Sequence, residues 1–183
     1  SYIFYCFWDW RFLGLIILSS ICDYIIGIKI FESKYLNQKK LLLRLSLFLN
    51  LGLLFTFKYF NFFISSFLDF LSISDGFSIK IILPVGISFY TFQTLSYTID
   101  IYNGKIQPSK NIISFLTFVS FFPQLVAGPI ERAANLLPQF NNLRIFNFKN
   151  TLNGISLITY GLFKKIVVAD KLAIYVNSVF SNI

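Results

Sequence analysis

Apolar residues run along this chain in stretches too long for a strand and too evenly greasy for the one-sided stripe of a soluble helix. Five stand out. The first, Phe12 to Phe31, is close to the roughly 20 residues a helix needs to cross a hydrocarbon core of about 30 Å. It contains Asp23. The second runs from Leu41 to Ile73 and as one helix reaches about 50 Å. It must tilt, break or run into the interface, and Lys58, Tyr59 and Asn61 mark the place for that. The third, Ile79 to Tyr102, has Pro84 and Gly86 near its start. The fourth, Ile112 to Ile130, holds Pro123, Gly128 and Pro129. The fifth, Leu152 to Phe180, is interrupted by Lys164, Lys165, Asp170 and Lys171. It reads equally as a tilted interfacial helix or as a span. The pattern predicts an all-α fold: a polytopic transmembrane helical bundle with broken or re-entrant segments. No internal repeat, low-complexity tract or soluble domain boundary is visible.

Composition supports lipid as the solvent. Hydrophobic residues make up 56% and charged residues 13% of the chain, against about 25% charged in a soluble domain. The net charge is +8, but the basic residues flank apolar runs and do not line one face. That placement fits membrane orientation and anionic headgroups, not nucleic acid. Lys29, Lys34, Lys39, Lys40 and Arg44 stand against Glu32 in one loop, which is expected in the cytoplasm. Asp69 and Asp75 then fall outside, and Lys105 and Lys110 return to the cytoplasm.

Absences narrow the chemistry further. The chain has no His, so the commonest general base and metal ligand is missing, with every triad that needs it. It has no Met, and is expected to be part of something longer, incomplete at both ends, with residues 1–183 forming one partial membrane domain. Ser1 to Trp8 lacks the basic start and cleavage site of a signal peptide and looks like the tail of a membrane segment. Cys6 and Cys22 show no metal or disulfide spacing and read as small buried hydrophobes. No metal site and no bound cofactor are expected.

Two polar constellations remain. If the third stretch is a helix, Gly86, Tyr90, Gln93, Tyr97 and Asp100 follow alternating steps of four and three and share a face, with Ser88 close by. Such a stripe is costly against lipid. It faces either neighbouring helices, through ordinary interhelical hydrogen bonds, or a wet cavity or substrate path. The second is the run from Phe121 to Arg132, where Pro123, Gly128 and Pro129 end regular helix and Glu131 and Arg132 follow. It is either a plain helix end at the interface or a re-entrant segment lining a chamber. Asp23, among Ser19, Ser20, Cys22 and Tyr24, reads as a structural hydrogen bond to a neighbouring helix. Lys164 and Lys165 read as a solvated helix face.

The runs LPVGISFYTFQTLSYTIDIYNG, FVSFFPQLVAGPIERAANLLPQF and GLFKKIVVADKLA, with FYCFWDWRFLGLIILSSICDYIIG and FKYFNFF before them, resemble the membrane-bound O-acyltransferase family. The nearest branch is that of the alginate O-acetyltransferase membrane subunit. The similarity covers essentially the whole chain in order. It implies a multi-helix membrane enzyme built around a tunnel. Such an enzyme moves an acetyl group to hydroxyls of a polysaccharide outside the cell, from acetyl-CoA or an acylated partner. It also implies a multi-pass protein of the bacterial inner membrane, surrounded by lipid, with an extracytoplasmic acetyl-transfer protein as a possible associate. The family's intramembrane His is absent here, so the resemblance places that residue beyond this stretch and leaves this chain without a catalytic residue. Asn103 stands where the branch often has an arginine after the IDxY motif. The resemblance carries over Tyr90, Gln93 and Asp100, then Gln124, Gly128, Pro129 and Glu131. Together with Ser88, Tyr97 and Arg132 they are expected to line the chamber and position helices. Two rival readings stay open: a transporter or channel subunit with broken helices, and a non-catalytic scaffold of the same fold.

Overall fold

The computed structural model describes residues 2–7, 10–71, 82–125, 128–143 and 145–181, and all its regular elements are helical. They fall into two compact units, Ser1–Asn142 and Leu143–Ile183. Three helices are long and apolar enough to cross a membrane: Trp10–Glu32, Leu36–Leu68 and Phe148–Phe180. The chain is a multi-pass membrane protein.

In the first unit, the short α1 (Tyr2–Cys6) precedes α2 (Trp10–Glu32). Leu and Ile fill α2 with no proline to break it, and the hydroxyls of Ser19 and Ser20 bond back to the carbonyl of Ile16, at 3.1 and 2.6 Å. Side chains that satisfy themselves on their own helix can sit in an apolar span. Only Ser33 to Tyr35 separate α2 from α3 (Leu36–Leu54), so the two must run antiparallel. α3 continues through a π-helical turn, Phe55–Tyr59, into α4 (Phe60–Phe70). The disruption expected around Lys58, Tyr59 and Asn61 is therefore a widened turn inside a continuous helix. Thr56 Oγ1 donates to the carbonyl of Gly52 at 2.9 Å, an extra bond where the regular ladder loosens.

The third apolar stretch folds differently from a helix starting at Ile79. Residues 79–81 lie outside the described residues, and α5 spans Ile87–Tyr102. Gly86 sits at φ +74°, a left-handed conformation that side chains with a Cβ avoid. The turn from Pro84, whose carbonyl accepts from Ile87 N at 3.3 Å, fixes that start. Gly86 thus precedes the helix and is not a member of its stripe. At the other end Gly104, at φ +71°, closes α5: its N–H reaches Ile101 O at 3.0 Å and Lys105 N reaches Asp100 O at 2.8 Å. This is the paired-bond stop of a glycine-terminated helix.

The fourth stretch is broken, as its prolines require. α6 (Ile112–Val119) is capped by Asn111, whose Oδ1 accepts from Ile113 N at 2.8 Å. It ends at Ser120, and α7 (Phe122–Leu125) follows. Pro123 has no N–H to offer the carbonyl of Val119, so the helix cannot run on. Residues 126–127 lie outside the described residues. α8 (Ala133–Asn141) completes the unit.

α2, α3 and α5 pack on one another, and α6, α7 and α8 lie against α5. Gly27 lets α2 approach α5 closely: a Cβ there would come within 2.8 Å of the Tyr97 ring. The core is aromatic, with Tyr97 and Phe115 ring centres 4.5 Å apart and Phe118 beside Phe115. Cys6 departs from expectation. It is exposed, because the single turn and a half of α1 leaves that face uncovered, while Cys22 is half-buried and both are free.

The second unit is one continuous helix, α9 (Phe148–Phe163), a π turn (Lys164–Ala169) and α10 (Asp170–Phe180). Asn147 caps it, accepting from Asn150 N at 3.1 Å. None of its described residues is buried. Within the π turn Asp170 N bonds to Lys165 O, and the Lys165 ammonium pairs with the Asp170 carboxylate. On a regular α-helix, residues five apart point about 140° away from each other; the wide turn brings them together. Lys164 lies over the Tyr160 ring, 4.4 Å from its centre.

Candidate functional site

α5 presents two adjoining polar faces, and each does something different. The face read from the sequence, Tyr90, Gln93, Tyr97 and Asp100, is buried. Gln93 Nε2 donates to the carbonyl of Phe118 at 2.8 Å. That carbonyl sits in the last turn of α6, just before the break, so the amide serves an acceptor that helix termination leaves free. Tyr97 Oη accepts from Ser109 N at 3.2 Å. Asp100 stands 3.7 Å from the Lys105 ammonium. Ser88, half-buried at the start of α5, accepts from Lys58 Nζ at 3.1 Å. Thus Lys58, in the π turn, points across to α5.

The second face is Thr91, Thr94 and Thr98, and it turns to α3. Asp23 lies at its centre, 1% exposed. Ser46 Oγ donates to Asp23 Oδ1 at 2.6 Å and Asn50 Nδ2 donates to Oδ2 at 2.7 Å. Asn50 Oδ1 accepts from Thr94 at 3.2 Å, and Ser46 and Thr98 share a bond of 3.2 Å. Of these, the two bonds to Asp23, at 2.6 and 2.7 Å, are in the range of bonds to a charged or strongly polarised oxygen. One carboxyl group therefore ties three helices together. Asp23 plays the structural part expected of it. Ser46, Asn50, Thr94 and Thr98 escaped sequence reasoning, although an Asn within LSLFLNLGLL was a legible signal: a polar amide inside an apolar span needs a partner.

The pairs also set direction. Ser46 meets Thr98, Asn50 meets Thr94 and Lys58 meets Ser88, so α3 and α5 are antiparallel and α5 runs with α2. Tyr24 Oη, in the second half of α2, donates to Lys110 O at 3.3 Å. The basic segment Lys29–Arg44, helical except for Ser33 to Tyr35, therefore shares one end of the bundle with Lys105 and Lys110, as the charge pattern requires.

The two proline-glycine segments meet backbone to backbone. A Cβ on Gly86 would lie 2.3 Å from the carbonyl oxygen of Leu125, and Tyr5 Oη donates to Val85 O at 2.8 Å. Three buried polar atoms have no hydrogen-bond partner among the described residues: Tyr90 Oη, one turn into α5 from this junction, Gln124 Nε2, next to Leu125, and Thr91 Oγ1, on the face toward α3. Gln124 is half-buried, and Gly128 packs back on it, where an added Cβ would stand 3.2 Å from Gln124 Cα. Pro129 and Arg132 are exposed. Glu131 turns to its own segment, accepting from Asn135 Nδ2 at 2.8 Å and from Arg132 N at 3.2 Å. It holds the entry to α8. Among the described residues no three His, Cys, Asp or Glu side chains gather as a metal site.

Comparison with known proteins gives relatives along the whole chain. It is 34% identical over 208 aligned positions to the peptidoglycan O-acetyltransferase of Helicobacter pylori, covering 100% of this chain and 39% of that protein. It is 37% identical over 188 positions to the probable alginate O-acetylase AlgI of Pseudomonas putida, covering 99% and 38%. The same-named protein of Pseudomonas aeruginosa is 36% identical over 186 positions, with 99% and 35% covered. The chain thus spans less than two fifths of the length of these curated relatives. No family model matches it. No solved structure matches it. From end to end the chain is thus similar to proteins named for O-acetylation of peptidoglycan and alginate, in keeping with the resemblance of its motifs to the alginate O-acetylase-like branch of the membrane-bound O-acyltransferase family.

Proposed function

We propose that the protein to which this chain belongs transfers acetyl groups to hydroxyls of a cell-wall or extracellular polysaccharide, and that these helices form part of the chamber in which it does so. The observation that carries the reading is identity of 34% and 37% across essentially the whole chain with a peptidoglycan O-acetyltransferase and an alginate O-acetylase. The geometry is compatible with it. Buried polar groups are almost always bonded, so Tyr90 Oη and Gln124 Nε2, unpartnered beside the Gly86–Leu125 junction, are donors left for a substrate oxygen or an ordered water. Tyr90 and Gln124 bind and orient in this reading, and proton transfer falls to the family's His, outside these residues. The acetyl donor is acetyl-CoA or an acylated partner, and the setting is the bacterial inner membrane. An extracytoplasmic acetyl-transfer protein completes the delivery to the glycan.

The test uses the protein at its natural full length in its own host. Deleting its gene should lower the alkali-releasable acetate of the surface polysaccharide, and the wild-type copy should restore it. Restoration by Tyr90→Phe or Gln124→Leu should fall by about tenfold or more, the cost of losing one donor to a substrate oxygen, at unchanged protein level. Unaltered acetate in the deletion strain sinks the proposal. Full restoration by both variants removes these two residues from it.

A further inference from the structure

The α5–α6 connection carries two lysines and uses them differently. Lys105 is taken by Asp100, at 3.7 Å. Lys110 is exposed and has no ion pair among the described residues, and beside it lies an open pocket of about 530 Å³. That size is within the range of small-ligand sites. Its wall on one side is the loop itself, with Gln107, Lys110 and the capping Asn111; on the other side stand Ala133, Leu137 and Asn142 of the α8 region. No acidic residue lines it.

The loop is held in shape by two tyrosines from different helices. Tyr97 Oη accepts from Ser109 N at 3.2 Å and Tyr24 Oη donates to Lys110 O at 3.3 Å. Ser109 Oγ adds a bond to Asn111 O at 3.0 Å. A backbone anchored at Ser109 and Lys110 by tyrosines of two helices presents Lys110 from a fixed base, which lowers the ordering cost of binding. The first turn of α6 already gives Ile113 N to Asn111 Oδ1. The attraction therefore rests on the ammonium and the amides of Gln107 and Asn142, with Ala133 and Leu137 as the apolar part of the lining. The pocket lies at the end of the bundle where the Lys29–Arg44 segment also lies, the side on which anionic headgroups and soluble phosphates are met.

We propose that this pocket binds a phosphate group, with Lys110 as its counter-charge and the carboxamides of Gln107 and Asn142 as hydrogen-bond donors. The phosphate comes either from a phospholipid headgroup or from a soluble phosphorylated molecule. The site goes beyond acetyl transfer and its test does not depend on activity.

The full-length protein is placed in nanodiscs of zwitterionic lipid. One arm titrates in phosphatidylglycerol and counts retained lipid by native mass spectrometry. The other adds pyrophosphate and follows its phosphorus resonance for broadening. Binding in either arm is expected to fall about tenfold in Lys110→Gln, as for a lost charge-assisted bond. It should stay within about twofold in Lys39→Gln, a lysine of the same end outside the pocket where only a screened surface charge is lost. Ala134→Trp, which fills the pocket and keeps the lysine, should abolish it as well. Loss only in the lipid arm identifies a headgroup, and loss in the pyrophosphate arm a soluble phosphate. Equal losses in Lys110→Gln and Lys39→Gln, or full binding in Ala134→Trp, overturn the proposal.

Discussion

Asp23 has both carboxyl oxygens taken, one by Ser46 and one by Asn50, at a depth where water does not reach it. The bonds constrain what can replace it. Asparagine keeps an oxygen for Asn50 and offers an N–H to Ser46, provided that Ser46 turns its own proton to Thr98, 3.2 Å away. Alanine removes both carboxyl acceptors and leaves Ser46 only Thr98 and Asn50 only the Ser46 carbonyl. Interhelical bonds of this kind are worth about 0.6 kcal/mol on average and up to about 1.7. Asp23→Ala should therefore cost about 1–3 kcal/mol in a detergent-unfolding titration and Asp23→Asn less than about 1. Equal losses would mean that the carboxyl charge, not the bonding pattern, holds the site. The same residue shows what a sequence discloses at this scale. A carboxyl in an apolar run announces that it needs partners, yet their identity depends on which helix lies opposite. Only the packing of α2 on α3 and α5 names Ser46, Asn50, Thr94 and Thr98.

At the scale of elements, the start of α5 and the end of α7 form one contact. Gly86 stands at φ +74° with the Leu125 carbonyl where a Cβ would go. Gly86→Ala must both force a left-handed alanine and push α7 away. The expected loss is about 2 kcal/mol or more, read as lowered thermal stability of the purified protein. Gly154, on α9, has nothing within 4 Å of an added Cβ. Gly154→Ala should be neutral or stabilise by up to about 1 kcal/mol, through helix propensity. A mild Gly86→Ala variant would remove the junction from the fold's supports. The prolines and glycine of the Phe121–Arg132 segment were legible as a break, whereas Gly86 was read into the helix that follows it. The meeting of the two segments was not legible, because no local pattern encodes which carbonyl a glycine must clear. Nor did spacing alone place Gly86 before the helix and not within it. The steps of four and three fit either way, and the left-handed backbone decides.

For the molecule as a whole, sidedness follows from three pairings. Ser46 with Thr98, Asn50 with Thr94 and Lys58 with Ser88 make α5 run against α3 and with α2. Charge asymmetry gives the same arrangement by an independent route. In a background with Cys6 and Cys22 replaced, cysteines at positions 39 and 110 should be labelled by a membrane-impermeant reagent only after the cytoplasmic face is opened. One at position 82 should be labelled from outside. Labelling of position 39 from outside overturns the scheme. Here the sequence served well, since lengths of apolar runs and flanking lysines are themselves the determinants of topology. It served least for Leu143–Ile183, where the alternatives of span and interfacial helix depend on what surrounds an element that buries none of its own described residues.

The two π turns amount to one surplus residue threaded into each of two long spirals. A surplus residue shifts every later side chain around the axis by a step, so the face that Phe148 begins is not the face that Phe180 ends. Relatives lacking it would align with a single-position gap between Lys164 and Ala169, and Lys165 and Asp170 would then stand four apart. Four is also a pairing distance on a regular helix. The ion pair therefore survives the loss or gain of that residue, which leaves an evolving lineage free to rotate α10 by one step without stranding a charge.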